Sequence, residues 1–384
     1  MNNETVKGFQ DFSGEEACKR VKIKKIVEDT FQLYGFEPAE TPIIEQEEFV
    51  KGDNSSDEAV SDIFKLKDRG ERNLALRYEF TFQLKRLARN KKLPYKRYQI
   101  GPVFRDEPIS GNRMRQFISC DGDVIGADIK DQAEVLSMTK EILDKLKVNG
   151  EIYVNNRKLL NEILDEQKVL DKNSVIREID KLDKLSESEV KTNLKKYKAE
   201  GIISIFKKPE IYFKKYSSYK EIVELKKYCK YFGVNVKFLP SLARGLGYYD
   251  GNIFEIKTKK IKETIFGGGA YTFNDFPSFG FGVSIERLVA VSTIEINDFP
   301  VLVISIEKDK EAVELIKALR EKKIACSLFY GKPGKGLEYA NSKNFEKVIF
   351  VGEKETKLKK FTLKDLKSGK EDKLNLKELA KKLV

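Results

Sequence analysis

The spacing of apolar residues in the first 150 positions predicts alternating helices and extended segments. Apolar positions recur at helical intervals over 16–34, and Gly35 ends that helix. The next stretch, FEPAETPIIE, is predicted to be extended because Pro42 disfavours a helix there. Helical spacing returns over 79–90 and over 131–147. This alternation indicates a fold that mixes helices and strands.

Two stretches between the second and third of these helices are predicted to pair as a long antiparallel hairpin. Residues 95–107 (YKRYQIGPVFRDE) and 115–126 (RQFISCDGDVIG) have the composition of strands, and a polar loop around Ser-Gly-Asn joins them. Arginine is concentrated on both flanks of this loop, which indicates an anionic ligand between the flanks.

Composition divides the remainder of the chain. Residues 150–236 are rich in Lys, Glu, Asp and Leu and mostly helical in pattern, so we interpret them as an inserted domain. The segments GNIFEIKT, ETIFGGGAYTF and SFGFGVSIERLVAVS then predict a strand, a glycine-rich turn with a strand, and a strand running into a helix. From Pro300 onward strands and helices alternate, which predicts a compact α/β domain over 299–384. Asn375 and Glu378 are expected to form a capping box for its last helix.

Composition and charge restrict the possible chemistry. The chain has 384 residues, of which 40% are hydrophobic, and it contains neither a membrane-spanning apolar run nor a visible secretory signal. We therefore expect a globular cytoplasmic protein without a membrane partner. The net charge is +12, and residues 299–384 carry 21 basic against 13 acidic residues, so this part is expected to meet a polyanion.

Cysteine and histidine usage narrows the mechanism further. The four cysteines form no C-x-x-C pair, and we expect them to be reduced, packed thiols. The chain contains no histidine, which removes the commonest general base and the commonest metal ligand. Any chemistry must therefore use Arg, Lys, Asp, Glu and Tyr.

Three separated segments place arginine beside aromatic residues and glycine: FRDEPISGNRMRQF at 104–117, SLARGLGYYDGNIFE at 241–255 and GFGVSIERL at 280–288. The planar guanidinium group suits phosphate and carboxylate and stacks on rings, so a nucleotide is the expected ligand. In this order the segments resemble motif 2, the histidine-specific LVRGLDYY signature and motif 3 of the histidyl-tRNA synthetase family, in class II of the aminoacyl-tRNA synthetases.

Further segments extend the resemblance over nearly the whole chain. YGFEPAETPIIE, with its Pro42, resembles motif 1, and LALRYEFT resembles the LRPE/D-x-T loop of the family. KVIFVGE and KFTLKDLKSGKE resemble the anticodon-binding domain. The occurrence of several motifs in one order makes the resemblance specific.

The resemblance implies an ATP site in the arginine-rich segments. Arg105 corresponds to the arginine that grips the α-phosphate, and Glu107 would contact the adenosine end. Phe117 and Arg287 would enclose the adenine ring, and Arg113 with Arg287 would hold the γ-phosphate. Mg²⁺ on the phosphates would share this electrostatic load, and no metal ligand is assigned.

The resemblance also implies a site for the backbone of the amino acid histidine. Arg244 would lie beside the substrate carboxylate and the α-phosphate, and with Arg105 it is the expected catalytic group. A fixed cation there stabilises the charge that develops as the carboxylate attacks phosphorus. Glu79 and Thr81 correspond to the residues that receive the α-ammonium group.

The imidazole ring is assigned polar partners by the same resemblance. Asp123 and Tyr249 correspond to the residues that hydrogen-bond its two nitrogens, and Tyr248 and Tyr271 would close the pocket. Partners at both nitrogens would reject other rings of similar size, because such rings would leave buried polar groups unpaired.

Local geometry leaves alternatives open at several of these positions. Arg113 is preferred to Arg115 as the residue at the γ-phosphate. Alternation along a strand would send Tyr248 and Tyr249 to opposite faces and so make one of them a core residue. Asp123 could instead be a turn residue without a functional role.

Some positions depart from the family pattern. Ser119 stands where the family usually has glutamine, which leaves the contact to the amino and carboxylate ends of the substrate open. Ala270 and Thr272 flank Tyr271 at positions where the family has arginine and aspartate. The glycines at 267–269 are interpreted as permitting close backbone approach rather than as a phosphate loop.

These observations predict an α+β fold with three parts. A class II synthetase core, an antiparallel sheet flanked by helices, would occupy 1–149 and 237–297, with a helical insertion at 150–236 and an anticodon-binding domain at 299–384. The protein would be a homodimer through motif 1 and would use ATP to join histidine to tRNA(His). The alternatives are non-catalytic: the synthetase-like regulatory subunit of ATP phosphoribosyltransferase, or a tRNA-binding module that has lost activation.

Overall fold

The chain forms two compact units, Met1–Ile294 and Glu295–Val384, each with its own sheet and apolar core. A computed structural model describes residues 3–52, 62–109, 113–245, 247–295 and 300–383. No helix within these ranges is both long enough and apolar enough to cross a bilayer.

The described strands of the first unit are β1 (Glu37–Pro38), β2 (Ile44–Gln46), β3 (Lys65–Lys67), β4 (Asn73–Leu76), β5 (Tyr95–Phe104), β6 (Gln116–Ile125), β7 (Glu151–Asn156), β8 (Val236–Phe238), β9 (Tyr249–Lys257), β10 (Phe266–Phe273) and β11 (Phe276–Ser284). Its described α-helices are α1 (Gly14–Leu33), α2 (Glu47–Lys51), α3 (Leu84–Leu87), α4 (Ile129–Lys145), α5 (Arg157–Glu166), α6 (Lys172–Asp180), α7 (Glu187–Leu194), α8 (Ile202–Phe206), α9 (Tyr219–Tyr231) and α10 (Ile285–Val291).

An eight-stranded sheet in the order β1-β5-β6-β11-β10-β9-β7-β8 forms the centre of this unit. The predicted hairpin is confirmed, since Tyr95 pairs with Ile125 and Phe104 pairs with Gln116 across β5 and β6. Neighbours from β5 to β7 are antiparallel, as predicted, whereas the short edge strands β1 and β8 pair in parallel with β5 and β7. The α+β class is therefore confirmed.

Helices cover one face of the sheet because their apolar stripes face it. Helix α4 begins at a capping box in which Asp128 accepts hydrogen bonds from the backbone of Lys130 and Asp131. Its Leu136 is fully buried in the same cluster as Phe31 of α1. Alternate residues of β6 enter this core, so the intervening residues project from the opposite face.

The segment predicted to be an insertion is joined to the sheet of the first unit. It begins with β7, which pairs with β9, and most of the rest is helical, as its composition indicated. Leu160 of α5, Ile176 of α6 and Ile222 of α9 are buried in the same core cluster as Phe254 of β9. The apolar residues of this segment therefore share the core of the unit.

Two local predictions were wrong. Over 79–90 the structure has a helix at Leu84–Leu87 alone, because the preceding loop is held by arginines: Arg105 Nε donates to the Tyr78 carbonyl (3.1 Å) and Arg97 Nη2 to the Phe80 carbonyl (3.3 Å). The glycine run predicted as a turn lies within strand β10. A Cβ atom at Gly268 would lie 2.1 Å from the Gly280 carbonyl oxygen, so strands β10 and β11 require glycine there.

The second unit has the predicted α/β architecture. Its strands are β12 (Val301–Ser305), β13 (Cys326–Tyr330), β14 (Lys347–Val351), β15 (Phe361–Asp365) and β16 (Glu371–Leu374), and its helices are α11 (Asp309–Glu321), α12 (Pro333–Ser342), α13 (Glu353–Leu358) and α14 (Leu376–Leu383). The sheet order is β13-β12-β14-β15-β16, with β13, β12 and β14 parallel. Val303 and Ile304 of β12 enter different apolar clusters, so this strand is buried on both faces.

The last helix is capped as predicted, and the cysteines are unpaired. Asn375 accepts hydrogen bonds from the Lys377 and Glu378 backbone, and Glu378 accepts one from the Asn375 backbone. All four cysteines are free thiols, and the three at positions 120, 229 and 326 are buried. Cys18 is exposed, which corrects the expectation that it packs, because it lies on the outer side of α1.

Candidate active site

A single cavity brings together all twelve residues that the sequence assigned to ligand binding. These residues are Glu79, Thr81, Arg105, Glu107, Arg113, Phe117, Asp123, Arg244, Tyr248, Tyr249, Tyr271 and Arg287. Their sequence separation spans the first unit, so the tertiary fold assembles the cavity from the hairpin, the loop before α3, and the strands β9 to β11.

Strand β6 supplies the floor of the cavity through its alternation. Phe117, Ser119, Asp121 and Asp123 all line the cavity, at intervals of two residues. Cys120 belongs to the apolar core on the other side of the sheet. The open alternative that Asp123 is a turn residue is therefore wrong, because it lies within a paired strand.

Glycines on the neighbouring strand β11 keep this floor open. Gly280 pairs with Asp123 and Gly282 pairs with Asp121. A Cβ atom at these glycines would lie 2.5 Å from Asp123 Oδ1 and 3.0 Å from Asp121 Oδ1. Any side chain there would press on the carboxylates, so glycine gives a ligand access to them.

Four arginines reach the cavity: Arg105 after β5, Arg113 before β6, Arg244 before β9 and Arg287 in α10. Burial lowers the pKa of Arg287, and the positive charges of the other three arginines lower it further. Arg287 Nη1 donates to the Thr264 carbonyl (2.8 Å), which fixes its direction. Such mutual repulsion destabilises the empty site and would be relieved by an anion of several charges.

The two arginines between the hairpin loop and β6 behave differently. Arg113 lines the cavity and pairs with Glu107 (3.2 Å), whereas Arg115 pairs with Asp106 (3.0 Å) and does not line it. The guanidinium carbon of Arg105 lies 5.3 Å from the centre of the Phe117 ring, within cation–π range.

Arg244 is a fixed cation with one unused donor. Its Nη1 atom lies 2.7 Å from Glu255 Oε1, and Thr264 donates to the other oxygen of this buried carboxylate (2.9 Å). Burial alone would lower the pKa of Arg244, but Tyr249 and Glu255 raise it above its usual range. Within the described part of the chain its buried Nε atom has no hydrogen-bond partner, so a donor remains for a ligand. Gly267 makes room for it, since a Cβ atom there would lie 2.6 Å from Nη1.

Three tyrosines and a buried ion pair form the other end of the cavity. Tyr271 donates to Asp123 Oδ1 (2.6 Å), and Arg97 Nη2 lies 2.5 Å from Asp123 Oδ2. Tyr248 donates to the Tyr249 hydroxyl (3.4 Å), with ring centroids 4.6 Å apart. Burial raises the pKa of all three tyrosines, so each hydroxyl stays protonated and can donate.

The expectation that Tyr248 and Tyr249 point to opposite faces was wrong. Both line the cavity, because Tyr248 lies in the turn that precedes β9 and strand alternation begins at Tyr249. The glycine at position 247 belongs to this turn.

Sequence reasoning missed Arg97, Asp121 and Glu255. Asp121 could have been found, since alternation from Phe117 to Asp123 places it on the same face. Arg97 carries no such signal: it is fully buried against Asp123 because β5 and β6 pair residue 97 with residue 123. Glu255 ends the segment SLARGLGYYDGNIFE. Its pairing with Arg244 could not be predicted, because the path of the chain between the two residues brings them together.

The mostly antiparallel sheet with an arginine-lined cavity on one face, followed by an α/β unit, is the arrangement of class II aminoacyl-tRNA synthetases. The family profile for histidyl-tRNA synthetase matches residues 8–288, and that for the anticodon binding domain matches residues 298–384. The chain is 33% identical to histidine–tRNA ligase 1 of Bacillus cereus, over 99% of this chain and 97% of the relative. It therefore belongs to the histidyl-tRNA synthetase family.

Solved structures share the fold. The histidyl-tRNA synthetase of a Nostoc species has a TM-score of 0.86 at 23% identity, covering 100% of this chain and 99% of that one. A Bacillus halodurans protein described as an ATP phosphoribosyltransferase regulatory subunit/histidyl-tRNA synthetase has a TM-score of 0.74 at 19% identity, covering 91% and 98%. At these identities the likeness concerns the fold alone.

Proposed function

We propose that the chain activates histidine with ATP to form histidyl adenylate and then transfers the histidyl group to the 3′ end of tRNA(His). The observation that supports this most is the convergence of the four arginines beside the tyrosine and Asp123 pocket. A triphosphate would neutralise the arginines, and the pocket offers polar partners to an imidazole ring.

In this proposal the hairpin and α10 hold ATP. Arg105 contacts the α-phosphate, and Arg113 and Arg287 hold the γ-phosphate. Phe117 and Arg287 enclose the adenine, with Glu107 at the adenosine end. Arg105 already stacks near Phe117, so a bound adenine and the α-phosphate would find both groups on one side of the cavity.

The amino acid occupies the end of the cavity with the tyrosines. Asp123 and Tyr249 hydrogen-bond the imidazole nitrogens, while Tyr248 and Tyr271 close the pocket. Burial raises the pKa of Asp123, and the charge of Arg97 and the hydrogen bond from Tyr271 lower it in part, so both partners favour the ionised form with its accepting oxygens. Glu79 and Thr81 receive the α-ammonium group.

Arg244 carries the activation step in this proposal. The histidine carboxylate attacks the α-phosphorus, pyrophosphate leaves, and negative charge grows on the non-bridging oxygens. Glu255 and Thr264 hold Arg244 in place, and its unpartnered Nε atom gives it a donor for these oxygens. In the transfer step the hydroxyl of the terminal ribose attacks the carbonyl carbon of the adenylate, AMP leaves, and a phosphate oxygen accepts the hydroxyl proton, since the chain has no histidine to act as the base.

Mg²⁺ belongs to the proposal as the counter-ion of ATP. It binds oxygen ligands and usually combines one or two carboxylates with substrate phosphates. Glu107 pairs with Arg105 and Arg113 and would supply a carboxylate oxygen to such an ion. The ion would spread the charge of the phosphates and orient them.

The remaining assignments extend the proposal to the whole chain. Residues 1–149 and 237–297 would form the catalytic core, 150–236 the insertion, and 299–384 the anticodon-binding domain, whose basic charge suits tRNA. Assembly as a homodimer and a cytoplasmic location complete the proposal; sedimentation of the purified chain tests the dimer.

Histidine-dependent exchange between ATP and pyrophosphate tests activation directly. The wild-type chain should catalyse it, and Arg244→Lys should lower kcat by about 10² to 10³, because a displaced donor no longer meets the developing charge. Arg72→Lys is the matched control, since Arg72 is exposed and pairs with Asp68. Absence of exchange by the wild-type chain would favour the two non-catalytic alternatives and overturn the proposal.

A further inference from the structure

The cavity contains a carboxylate that the proposed mechanism leaves without a role. Asp121 lies on the floor between Phe117 and Asp123, and Ser119 Oγ donates to its Oδ1 atom at 2.5 Å. Asp123, Glu107 and Glu255 each have an arginine within salt-bridge distance. Within the described ranges, no side-chain nitrogen of a lysine or arginine lies within 4.0 Å of the Asp121 carboxylate oxygens.

The surroundings of Asp121 favour a cationic ligand over a neutral one. Burial raises its pKa to about 6, and the hydrogen bond from Ser119 and the charge of Arg97 lower it only in part. Across the sheet it faces Gln99 on β5 and Gly282 on β11. Gln99 is buried, and its Oε1 atom has no hydrogen-bond partner among the described residues, so an unpaired acceptor lies next to the carboxylate that accepts from Ser119.

The position of Asp121 along β6 corresponds to one part of the amino acid substrate. Residues two apart on a strand are about 7 Å from each other. Asp123 lies at the ring end and Phe117 at the nucleotide end, so Asp121 lies beside the part of histidine between its ring and the carboxylate under attack. That part carries the α-ammonium group, which has three donors and a positive charge.

Resting on the function proposed above, we infer that Asp121, oriented by Ser119, forms an ionic hydrogen bond with the α-ammonium group of the substrate. It thereby supplies the contact that the glutamine-to-serine departure at position 119 left open. Gly282 leaves the Asp121 carboxylate uncovered, and Gln99 offers a second acceptor next to it.

Two competitive inhibitors of the exchange reaction separate the α-ammonium contact from a ring contact. Histidinol has the ring and the ammonium group, while imidazolepropionate has the ring and a carboxylate but no ammonium group. Asp121→Asn keeps the shape and removes the charge. It should raise the KM for histidine and the Ki for histidinol by about 10- to 100-fold, because hydrogen bonds to charged groups are strong. The Ki of imidazolepropionate and the KM for ATP should change by less than about 2-fold.

Matched variants guard against loss of folding. Asp29→Asn removes an exposed carboxylate that pairs with Lys25 and should change none of these constants. Asp121→Gly should reproduce the selective loss of histidinol binding, and Ser119→Ala should show a smaller loss in the same direction.

Three outcomes overturn the inference. Equal weakening of histidinol and imidazolepropionate would place Asp121 at the ring, and unchanged constants would mean that it touches no ligand. A wild-type chain that binds histidinol in a thermal-shift assay but shows no exchange would refute the proposed function, and the contact is then supported if Asp121→Asn weakens histidinol binding in that assay and overturned if it does not. No binding of either compound refutes both.

Discussion

Asp121→Asn is expected to stabilise the folded protein at neutral pH, although it weakens substrate binding. Burial raises the pKa of Asp121 from 3.8 to about 6. Arg97 and Arg105 lower it in part and Asp123 raises it, so the carboxylate is poorly compensated in the empty cavity. Each pKa unit corresponds to about 1.4 kcal/mol, so ionisation costs the folded state at most about 3 kcal/mol at neutral pH.

The sign of the pH dependence follows from the raised folded-state pKa. Below about pH 4 the Asp121 carboxyl group is protonated in both the folded and the unfolded state, so no charge is buried and the free energy of unfolding carries no ionisation cost. Between about pH 4 and pH 6 the unfolded chain loses this proton first, so the contribution of Asp121 to the free energy of unfolding falls as pH rises. Above about pH 6 the full cost is present, and asparagine avoids it.

Urea unfolding of the wild-type and variant chains, followed by circular dichroism at several pH values, measures this difference. We expect Asp121→Asn to raise the free energy of unfolding by about 1 to 3 kcal/mol near pH 7, the lower value applying if cavity water screens the charge. The difference should vanish near pH 4. Asp29→Asn, which alters an exposed carboxylate, should show no such trend. A variant that is no more stable than the wild type near pH 7 would refute the reasoning.

Three further changes probe the packing around the site and the last helix. Gly280→Ala should raise the KM for histidine about 10-fold or more in the exchange assay, because its Cβ atom would lie 2.5 Å from Asp123 Oδ1. Gly334→Ala is the control and should match the wild type, since a Cβ atom there meets no described atom within 4 Å. Equal effects of the two changes would argue against the steric reason. Arg97→Met should lower the free energy of unfolding by about 3 to 5 kcal/mol near neutral pH, since Asp123 would be buried without its partner; adding Asp123→Asn should recover part of this loss, and no recovery would contradict the explanation. Asn375→Ala should destabilise the second unit by about 1 kcal/mol in urea unfolding through loss of the helix cap, whereas Asn375→Gly should cost less.

The local pattern determined most of the elements. The hairpin, the first helix, the helix after the hairpin and the alternation of the C-terminal unit follow from apolar spacing, turn residues and caps, which depend on neighbours in sequence. The motifs shared with the synthetase family also identified residues that line the cavity, because groups that bind an anionic substrate are of few types and lie in recognisable motifs.

Contacts between distant segments decided the rest. Helical spacing over 79–90 yields a short helix because Arg97 and Arg105 hold the preceding loop, and no local rule places those arginines there. The glycine run continues a strand because Gly268 must pass the backbone of Gly280. In both cases a partner remote in sequence outweighs the local preference.

The sequence by itself determined which residue types the site would use, while the tertiary structure decided which of them are paired. Arg97 forms an ion pair with Asp123, and Arg244 forms one with Glu255. The first depends on the register of β5 and β6, and the second on the path of the chain before β9. Both are fixed only when the sheet is assembled. Asp121 lacks such a partner for the same reason. The charge left over at Asp121 arises from packing, since desolvation and Coulomb energy depend on distance in space and not on distance along the chain.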